Sequence, residues 1–352
     1  VGDKLTDTFT VKAADGTSAS VTVTINGTND KPVAFADTQT TEENTVLHGQ
    51  VPVATDVDGT IVRYEVVNNL AQGKGTLAFN EDGSYTFNPG TAFDHLAAGQ
   101  SENVTFTYQA KDNNGAVSGP QTITIVVTGS NDAAVISGVS SRDVNETDAP
   151  ISTGGKLNIT DVDGPASFQA QSNVAGKYGT FNLGTDGNWT YVASSAYNEL
   201  KQGQTLTDTF TVKAADGTST TVTVNIIGTN DKPVAFGDTV TTDENAVLNG
   251  HVPAATDIDG TIASYQLATN VAAGKGTLTF NANGSYSFNP GTAFDHLAQG
   301  QSENVTFTYQ AKDNNGALSD PQTITITVTG TNDKPVAYAD TQTTEENTVL
   351  HG

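Results

Sequence analysis

Three short stretches set two carboxylates two positions apart with a glycine behind them: Thr-Asp-Val-Asp-Gly at 55–59 and again at 160–164, and Thr-Asp-Ile-Asp-Gly at 256–260. The chemistry that suits them is the binding of a hard cation. Calcium takes roughly six to eight oxygens at about 2.3–2.6 Å, from carboxylates, amide carbonyls and backbone carbonyls together. The Asp-x-Asp step aims both side chains to one side of an extended turn, and the glycine lets the chain bend without a Cβ. A single such step is weak evidence, because an ordinary Asx turn needs the same residues. What raises it is the company that each copy keeps. Asp56 and Asp58, Asp161 and Asp163, and Asp257 and Asp259 each follow an Asn-Asp pair (Asn29 and Asp30, Asn131 and Asp132, Asn230 and Asp231). Each is followed in turn by a late Asp: Asp112, Asp216 and Asp313. A Glu stands near the start of each unit, as Glu43, Glu146 and Glu244, and the pair returns a last time as Asn332 and Asp333. An EF-hand is excluded, since the third acidic position, the distal Glu and the flanking helices are missing.

These positions recur because the chain is a repeat. The stretch SENVTFTYQAKDNNGA at 101–116 returns unchanged at 302–317, and LTDTFTVKAADGTS at 5–18 returns at 206–219. Successive Asn-Asp pairs lie about 100 residues apart, the size of one small domain. Three complete units are expected, at 30–131, 132–230 and 231–332, with the first and third near copies and the second divergent. Residues 1–29 match the end of the second type and 333–352 the start of the first, so the sequence reads as a window on a longer tandem array. A fragment holding only the last two strands of a domain cannot bury its apolar face alone.

Each unit reads as all-β. Val104, Phe106 and Tyr108 alternate with Thr, and TITIVVT and TITITVT set Ile against Thr with period two. Hairpins are expected at Asp82-Gly83, Asp186-Gly187 and Asn283-Gly284. About seven short strands per 100 residues fit a two-sheet sandwich of the immunoglobulin or cadherin kind. Only TAFDHLAAGQ and its copies look helical, for a turn or so. In a sandwich, the junction, one set of loops and the end of the preceding domain lie together at one pole, which is where the acids must gather.

Composition agrees with a cation as partner. With 39 acidic and 15 basic side chains the formal charge is −24, which repels nucleic acid and anionic membrane alike. There is no cysteine to form a disulfide or to act as thiolate. No apolar run approaches the roughly 20 residues that span a bilayer, and no signal peptide is recognised.

TEEN, DVDG, AKDNNGAVS and GTNDKP occur in the order and rough spacing of the cadherin calcium motifs. The chain resembles the bacterial cadherin-like or VCBS-type tandem repeats of large secreted RTX-type adhesins, over all three units and both fragments. The resemblance implies tandem cadherin-like β-sandwiches joined by short calcium-binding linkers. It implies that the junction at 131 uses Glu43, Asn131, Asp132, Asp161, Asp163 and Asp216, and that the next uses Glu146, Asn230, Asp231, Asp257, Asp259 and Asp313. The junction at 29 would use Asn29, Asp30, Asp56, Asp58 and Asp112, and Glu244, Asn332 and Asp333 hold the matching places at the last. Two departures from the cadherin pattern are visible. Glycine replaces the acid two places before each linker Asn (Gly27, Gly129, Gly228, Gly330), and FDHL and YNEL fit the mid-domain Asp-x-Glu poorly. One to three ions per joint are expected.

Enzyme chemistry finds little support. His95 and His296 lie in AFDHLA, whose middle-unit counterpart carries Glu199, and His48, His251 and His351 have no nucleophile in register. GKGT at 73–76 and 274–277 is too short for a phosphate loop and precedes strands. Trp189 takes the place of Tyr85 and Tyr286 and is expected in a core rather than as a sugar platform. The expected function is a calcium-stiffened spacer of an extracellular bacterial surface adhesin, serving attachment and biofilm. Two alternatives stand beside it: the unit 132–230 as a glycan, peptide or homophilic binding module, and a subunit of a filament or surface layer. Pro32, Pro233 and Pro335 stiffen the chain after each pair, whereas Asn-Asp-Ala-Ala-Val at 131–135 lacks that proline and is expected to bend more.

Overall fold

The computed structural model describes every residue except Leu350 and Gly352, and its regular structure among those residues is all strand. An initial hairpin, β1 (Lys4–Lys12) and β2 (Ser18–Asn26), precedes the first complete unit. That unit comprises β3 (Asp37–Glu42), β4 (Leu47–Gln50), β5 (Ile61–Asn68), β6 (Thr76–Phe79), β7 (Ser84–Asn88), β8 (Ser101–Asp112) and β9 (Gln121–Thr128). A four-stranded sheet in the order β3-β9-β8-β5 faces a three-stranded sheet, β4-β7-β6. Strand β3 runs parallel to β9 and the other pairs are antiparallel.

The middle unit comprises β10 (Val135–Gly138), β11 (Ser141–Asn145), β12 (Ser152–Thr160), β13 (Gln171–Ala175), β14 (Gly179–Leu183), β15 (Asn188–Ala193), β16 (Thr205–Lys213) and β17 (Ser219–Ile227). The third unit, with β18 (Asp238–Asp243), β19 (Leu248–His251), β20 (Ile262–Thr269), β21 (Thr277–Phe280), β22 (Ser285–Asn289), β23 (Ser302–Asp313) and β24 (Gln322–Thr329), repeats the strand orders of the first.

Period-two patterning builds the cores. On β8, Val104, Phe106, Tyr108 and Ala110 are buried, and on β9 Ile123, Ile125 and Val127 meet them from the same face, while the intervening Thr face outward. The third unit repeats this, and in the middle unit Phe210 and Val212 pack with Val222, Val224 and Ile226. The expected hairpins form as three-residue turns. In the first, the Gly83 N–H donates to Asn80 O at 2.9 Å with φ of +83°, the left-handed place that glycine takes without steric cost.

A glycine opposite an aromatic recurs in every unit. Gly49 pairs with Tyr85, Gly155 with Trp189 and Gly250 with Tyr286, and each ring lies across its partner's bare Cα. A Cβ on Gly49 would fall 2.2 Å from the Tyr85 ring. Trp189 is 2% exposed and its indole N–H donates to Val139 O at 2.8 Å, so it is a core residue.

Two expectations are corrected. TAFDHLAAGQ forms turns without a helix: Leu96 N–H reaches back to Phe93 O, but Pro89 before it and left-handed Gly90 and Gly99 around it confine the run. The middle unit has eight strands, split five and three as β10-β12-β15-β14-β13 and β11-β17-β16. Strand β13, which corresponds to β5, has moved to the opposite sheet after one remaining bridge, Phe168 to Ala214. The accompanying change is Asp208, buried where β8 has Val104. A buried carboxylate needs donors, and the shifted chain provides them: Lys177 N–H at 2.7 Å, Tyr178 N–H at 2.9 Å and the Tyr191 hydroxyl at 2.8 Å.

Outside the complete units little is buried. The β1–β2 hairpin exposes Leu5, Phe9 and Ile25, and the described residues beyond Asn332 form no strand.

Candidate metal centre

Register brings the linker to the paired acids. In the first unit Val33 bridges Thr55 in antiparallel fashion, and continuing that register three residues sets Asp30 opposite Asp58. The Asp30 N–H donates to Asp58 Oδ1 at 3.2 Å. The same step at the next joint, from the Val135–Thr160 pair, gives Asp132 N–H to Asp163 Oδ2 at 3.2 Å. At the third, from the Val234–Thr256 bridge, it gives Asp231 N–H to Asp259 Oδ1 at 3.3 Å.

The leading Asp of the first two pairs closes its own loop, whereas neither oxygen of Asp257 has a donor. Asp56 Oδ1 accepts the N–H groups of Asp58 at 3.0 Å and Gly59 at 2.9 Å, and Asp161 Oδ1 accepts those of Asp163 and Gly164. The glycine is needed for close approach: a Cβ on Gly59 would meet Asn113 Oδ1 at 2.8 Å, and on Gly164 it would meet Asp161 Oδ2 at 2.8 Å. The Asx turn and a metal role are thus compatible, since one oxygen serves the turn and Asp56 Oδ2 and Asp161 Oδ2 are buried with no donor.

The Glu of each unit reaches the same junctions from below. Strand β3 lies parallel to β9, and Glu43 N–H continues the pairing to Thr128 O at 3.0 Å. Glu43 Oε1 then accepts the N–H and hydroxyl of Ser130 at 2.7 and 3.0 Å, leaving Oε2 buried and unpartnered. Glu146 does this with Thr229 and Glu244 with Thr331. The Ser or Thr before each Asn-Asp pair therefore belongs to the site. Its fixed place beside the Asn was the signal that could have revealed it.

The late acids divide into two kinds. Asp112 and Asp313 are buried, accept backbone N–H groups of their own turns, and take the side-chain N–H of Asn29 and Asn230 at 2.7 Å each. These hydrogen bonds hold both carboxyls below the usual carboxylate range, the amide of Asn29 or Asn230 being the largest lowering influence, against the opposing effect of burial. The second Asn of the same turn, Asn114, donates to Asn29 Oδ1 at 2.7 Å, a contact the sequence reading missed. Asp216 sits inside its turn, which Ala214 N–H closes on Thr218 O, whereas Asp112 N–H itself closes the matching turn on Ala116 O. It accepts the N–H of Ala134 at 3.1 Å and of Thr218 at 3.0 Å together with the Thr218 hydroxyl, and these bonds, the hydroxyl's first, lower its pKa to about 2.

At the second joint Glu43 is bonded to Ser130 and Asp132 to Asp163, and at the third Glu146 is bonded to Thr229, Asn230 to Asp313 and Asp231 to Asp259. Asn332 and Asp333 are exposed, and no paired acids face them among the described residues.

The electrostatic state of the joints is acid against acid. Burial, then Glu146, Asp148 and Asp259, push Asp231 up to about 6. Burial also raises Asp163 and Asp259, with Asp161 and Asp257 adding to it. The buried oxygens without a donor are Glu43 Oε2, Asp132 Oδ2, Asp161 Oδ2 and Asp163 Oδ1 at one joint, and Glu146 Oε2, Asp231 Oδ2, both Asp257 oxygens and Asp259 Oδ2 at the next. Buried polar atoms in native proteins are nearly always paired, so these call for a positive partner, and carboxylate with amide oxygen is a donor set that fits a hard divalent cation. Among the described residues no three acids or imidazoles are already gathered as a cage.

Three consecutive segments, 29–129, 131–228 and 230–330, match the bacterial cadherin-like domain family. The chain belongs to that family. Each cadherin-like match begins at the linker Asn of its joint. Calcium-binding lectin RapA2 of Rhizobium johnstonii is 29% identical over 207 residues, covering 51% of this chain and 86% of that protein. The solved structure of protocadherin gamma B2 extracellular cadherin domains 1–5 aligns with a TM-score of 0.55 at 17% identity, over 95% of this chain and 66% of that one. This second likeness concerns the tandem cadherin fold alone.

Proposed function

We propose that this chain is a calcium-stiffened spacer of an extracellular bacterial adhesin, with units at 30–131, 132–230 and 231–332. The observation that carries the reading is the set of buried, donor-less carboxylate oxygens on both sides of each joint between complete units. A relative named for calcium binding supports the choice of ion. At about 4 Å and an effective dielectric near 20, each like-charged pair costs on the order of 4 kcal/mol, so the acids of two successive units push their joint open.

Glu43 or Glu146 would hold the ion from the preceding unit, and Asp132, Asp161, Asp163 or Asp231, Asp257, Asp259 from the following one. Bound calcium would supply the charge that turns this repulsion into attraction across the joint. Ser130 and Thr229 hold one oxygen of each Glu, and the Asn-Asp backbone is held against the paired acids. Extracellular calcium modules bind at about 0.1–1 mM, which makes the stiffness responsive to the medium. The cores are filled and the histidines lie on turns or surfaces, so the chain is read as a non-enzymatic adhesion component, located outside the cell and serving attachment or biofilm.

Small-angle X-ray scattering with calcium and with chelator tests the reading. The maximum dimension should become fixed, and the melting temperature should rise, when calcium is added. Identical scattering and melting in both buffers would overturn it.

The word lectin in the relative's name favours one further reading, glycan binding by a cadherin-like unit. Trp189 is buried and takes no part in it. Saturable binding on a glycan array would establish it.

A further inference from the structure

Asn-Gly is a step at which a chain can modify itself. The glycine has no Cβ to shield its backbone nitrogen, so that nitrogen can reach the side-chain carbon of the asparagine before it. The complete units hold this step at 114–115, 249–250, 283–284 and 315–316, and the fold treats these places unequally. At 249–250 the step lies within β19, where a Cβ on Gly250 would fall 2.4 Å from the Tyr286 ring and the backbone has no room to turn. At 283–284 the Gly284 N–H is bonded to Asn281 O at 2.9 Å, and Asn283 Oδ1 accepts the N–H and hydroxyl of Ser285 at 3.0 and 2.8 Å.

Asn114 and Gly115 stand exposed at the tip of the hairpin between β8 and β9. Beyond its chain neighbours, no atom lies within 4 Å of the place a Cβ on Gly115 would take, and the Gly115 N–H is held loosely, 3.3 Å from Asp112 O. Asn114 Oδ1 accepts no hydrogen bond among the described residues, while Asn114 Nδ2 donates to Asn29 Oδ1 at 2.7 Å. The step at 315–316 belongs to the stretch repeated unchanged from the first unit, yet it is tied more closely. Gly316 N–H reaches Asp313 Oδ1 at 2.5 Å, and Asn315 Oδ1 accepts the Asn314 amide at 3.0 Å.

We infer that Asn114 is a self-modifying site, converted by its own backbone and water to aspartate and isoaspartate. Gly115 N bonds to Asn114 Cγ and closes a succinimide ring, and the side-chain nitrogen leaves as ammonia, taking the proton that Gly115 N gives up. Water then opens the ring. Addition at Cγ breaks the new bond and leaves aspartate, whereas addition at the backbone carbonyl carbon breaks the former peptide bond and leaves isoaspartate. Nothing is oxidised or reduced.

Asp216 shows what the product lacks. It holds the place of Asn114 in the middle unit's hairpin, where it accepts the Ala134 N–H at 3.1 Å. The first unit has Pro32 in place of Ala134, with no N–H to give. Conversion therefore removes the donor that ties the hairpin to Asn29 Oδ1 and finds no replacement in the linker, leaving Asn29 Nδ2 to Asp112 Oδ2 as the remaining side-chain tie.

Peptide mapping by mass spectrometry tests this, on the full chain incubated in mildly alkaline buffer with calcium present and, in parallel, unfolded in urea. The four steps fall in different tryptic peptides. In urea they should convert at similar rates, and Asn114 and Asn315 at equal ones. In the folded chain Asn114 should convert about tenfold or more faster than Asn249 and Asn283, and ahead of Asn315. An isoaspartyl methyltransferase assay should label the same peptide, and Asn114→Gln, whose longer side chain does not form the five-membered ring, should abolish both signals. If Asn114 stays intact in the folded chain while the urea sample converts, or if Asn249 or Asn283 keeps pace with it, the inference is refuted. Equal folded rates at 114 and 315 would overturn the part assigned to the loose Gly115 N–H.

Discussion

The joints at 131 and 230 are made from the same motifs and differ in how the motifs are tied. At 230, Asn230 donates to a buried Asp313, Pro233 follows the pair, and the preceding unit adds Asp148. Asn131 and Asn230 both donate to the next residue's carbonyl at 3.0 Å, but at 131 no buried Asp among the described residues accepts from Asn131 as Asp313 does from Asn230. There Asp216 is bonded to the linker backbone at Ala134, and the preceding unit has Thr45 where the middle unit has Asp148. A register shared by all joints places the acids, while side chains outside the register decide how many oxygens remain for a cation.

The largest expected effect comes from removing the paired acids one joint at a time. Asp161→Ala with Asp163→Ala should free the joint at 131 alone, and Asp257→Ala with Asp259→Ala the joint at 230 alone. Two lost carboxylate ligands should weaken calcium at that joint by about a hundredfold or more. Scattering in calcium should then show one hinge per variant. If either variant bends at both joints, the joints are coupled and the comparison breaks.

Next in size is the Glu of each unit. In Glu43→Gln and Glu146→Gln the amide carbonyl can still accept the bonds that Oε1 takes from Ser130 or Thr229, so the metal-free melting temperature should hold or rise. Calcium affinity should fall about tenfold at the altered joint. The fall should be steeper for Glu43→Gln, because the 131 joint has no acid at the place of Asp148. Equal losses would erase that distinction.

In metal-free buffer the joints should respond to pH in opposite senses. Asp231 is raised in the folded state from 3.8 to about 6, so the folded form binds more protons between those values. Its contribution to stability is present below about 3.8 and is lost as pH rises through 6. Asp216 is lowered from 3.8 to about 2, so its contribution is present above 3.8 and is lost as pH falls through 2. Melting curves of Asp231→Asn and Asp216→Asn across pH 2–7 check this: the first variant should lose the decline between about 4 and 6, and the second the decline at the acid end.

Much of the architecture could be read from residue order. Alternation located β8 and β9, the Asp-Gly and Asn-Gly pairs located the hairpins, and the repeat gave the place of Trp189 from Tyr85. Near-identical copies also told which acids travel together. What escaped was long-range in origin. The sheet switch of β13 is accompanied by Asp208, which looks like one more polar residue of a Thr-rich strand until its neighbours bury it. The different station of Asp216 comes with a shorter hairpin, in which Val222 pairs with Phe210 where Ile123 pairs with Phe106, so the motif stays intact while its tip moves. Ser130 and Asn114 were silent because a chain rich in Ser, Thr and Asn offers such residues everywhere, and only contacts across more than 80 positions select these two.

The smallest effect concerns the second residue after each Asn-Asp pair. Pro32 and Pro233 correspond to Ala134, and the sequence alone suggests that proline there would stiffen the joint at 131. The structure gives the Ala134 N–H a partner in Asp216 Oδ2 at 3.1 Å, a bond that proline cannot make. Losing a charge-assisted bond costs about 1–3 kcal/mol, whereas a compatible proline returns only about 0.4–1 kcal/mol by restricting the unfolded chain. Ala134→Pro should therefore lower the melting temperature of the metal-free protein by a few degrees. Pro233→Ala, where no such bond exists to be gained from Asp313, should lower it by less. A rise for Ala134→Pro would mean that the preset φ outweighs the bond, and that the two linkers are interchangeable.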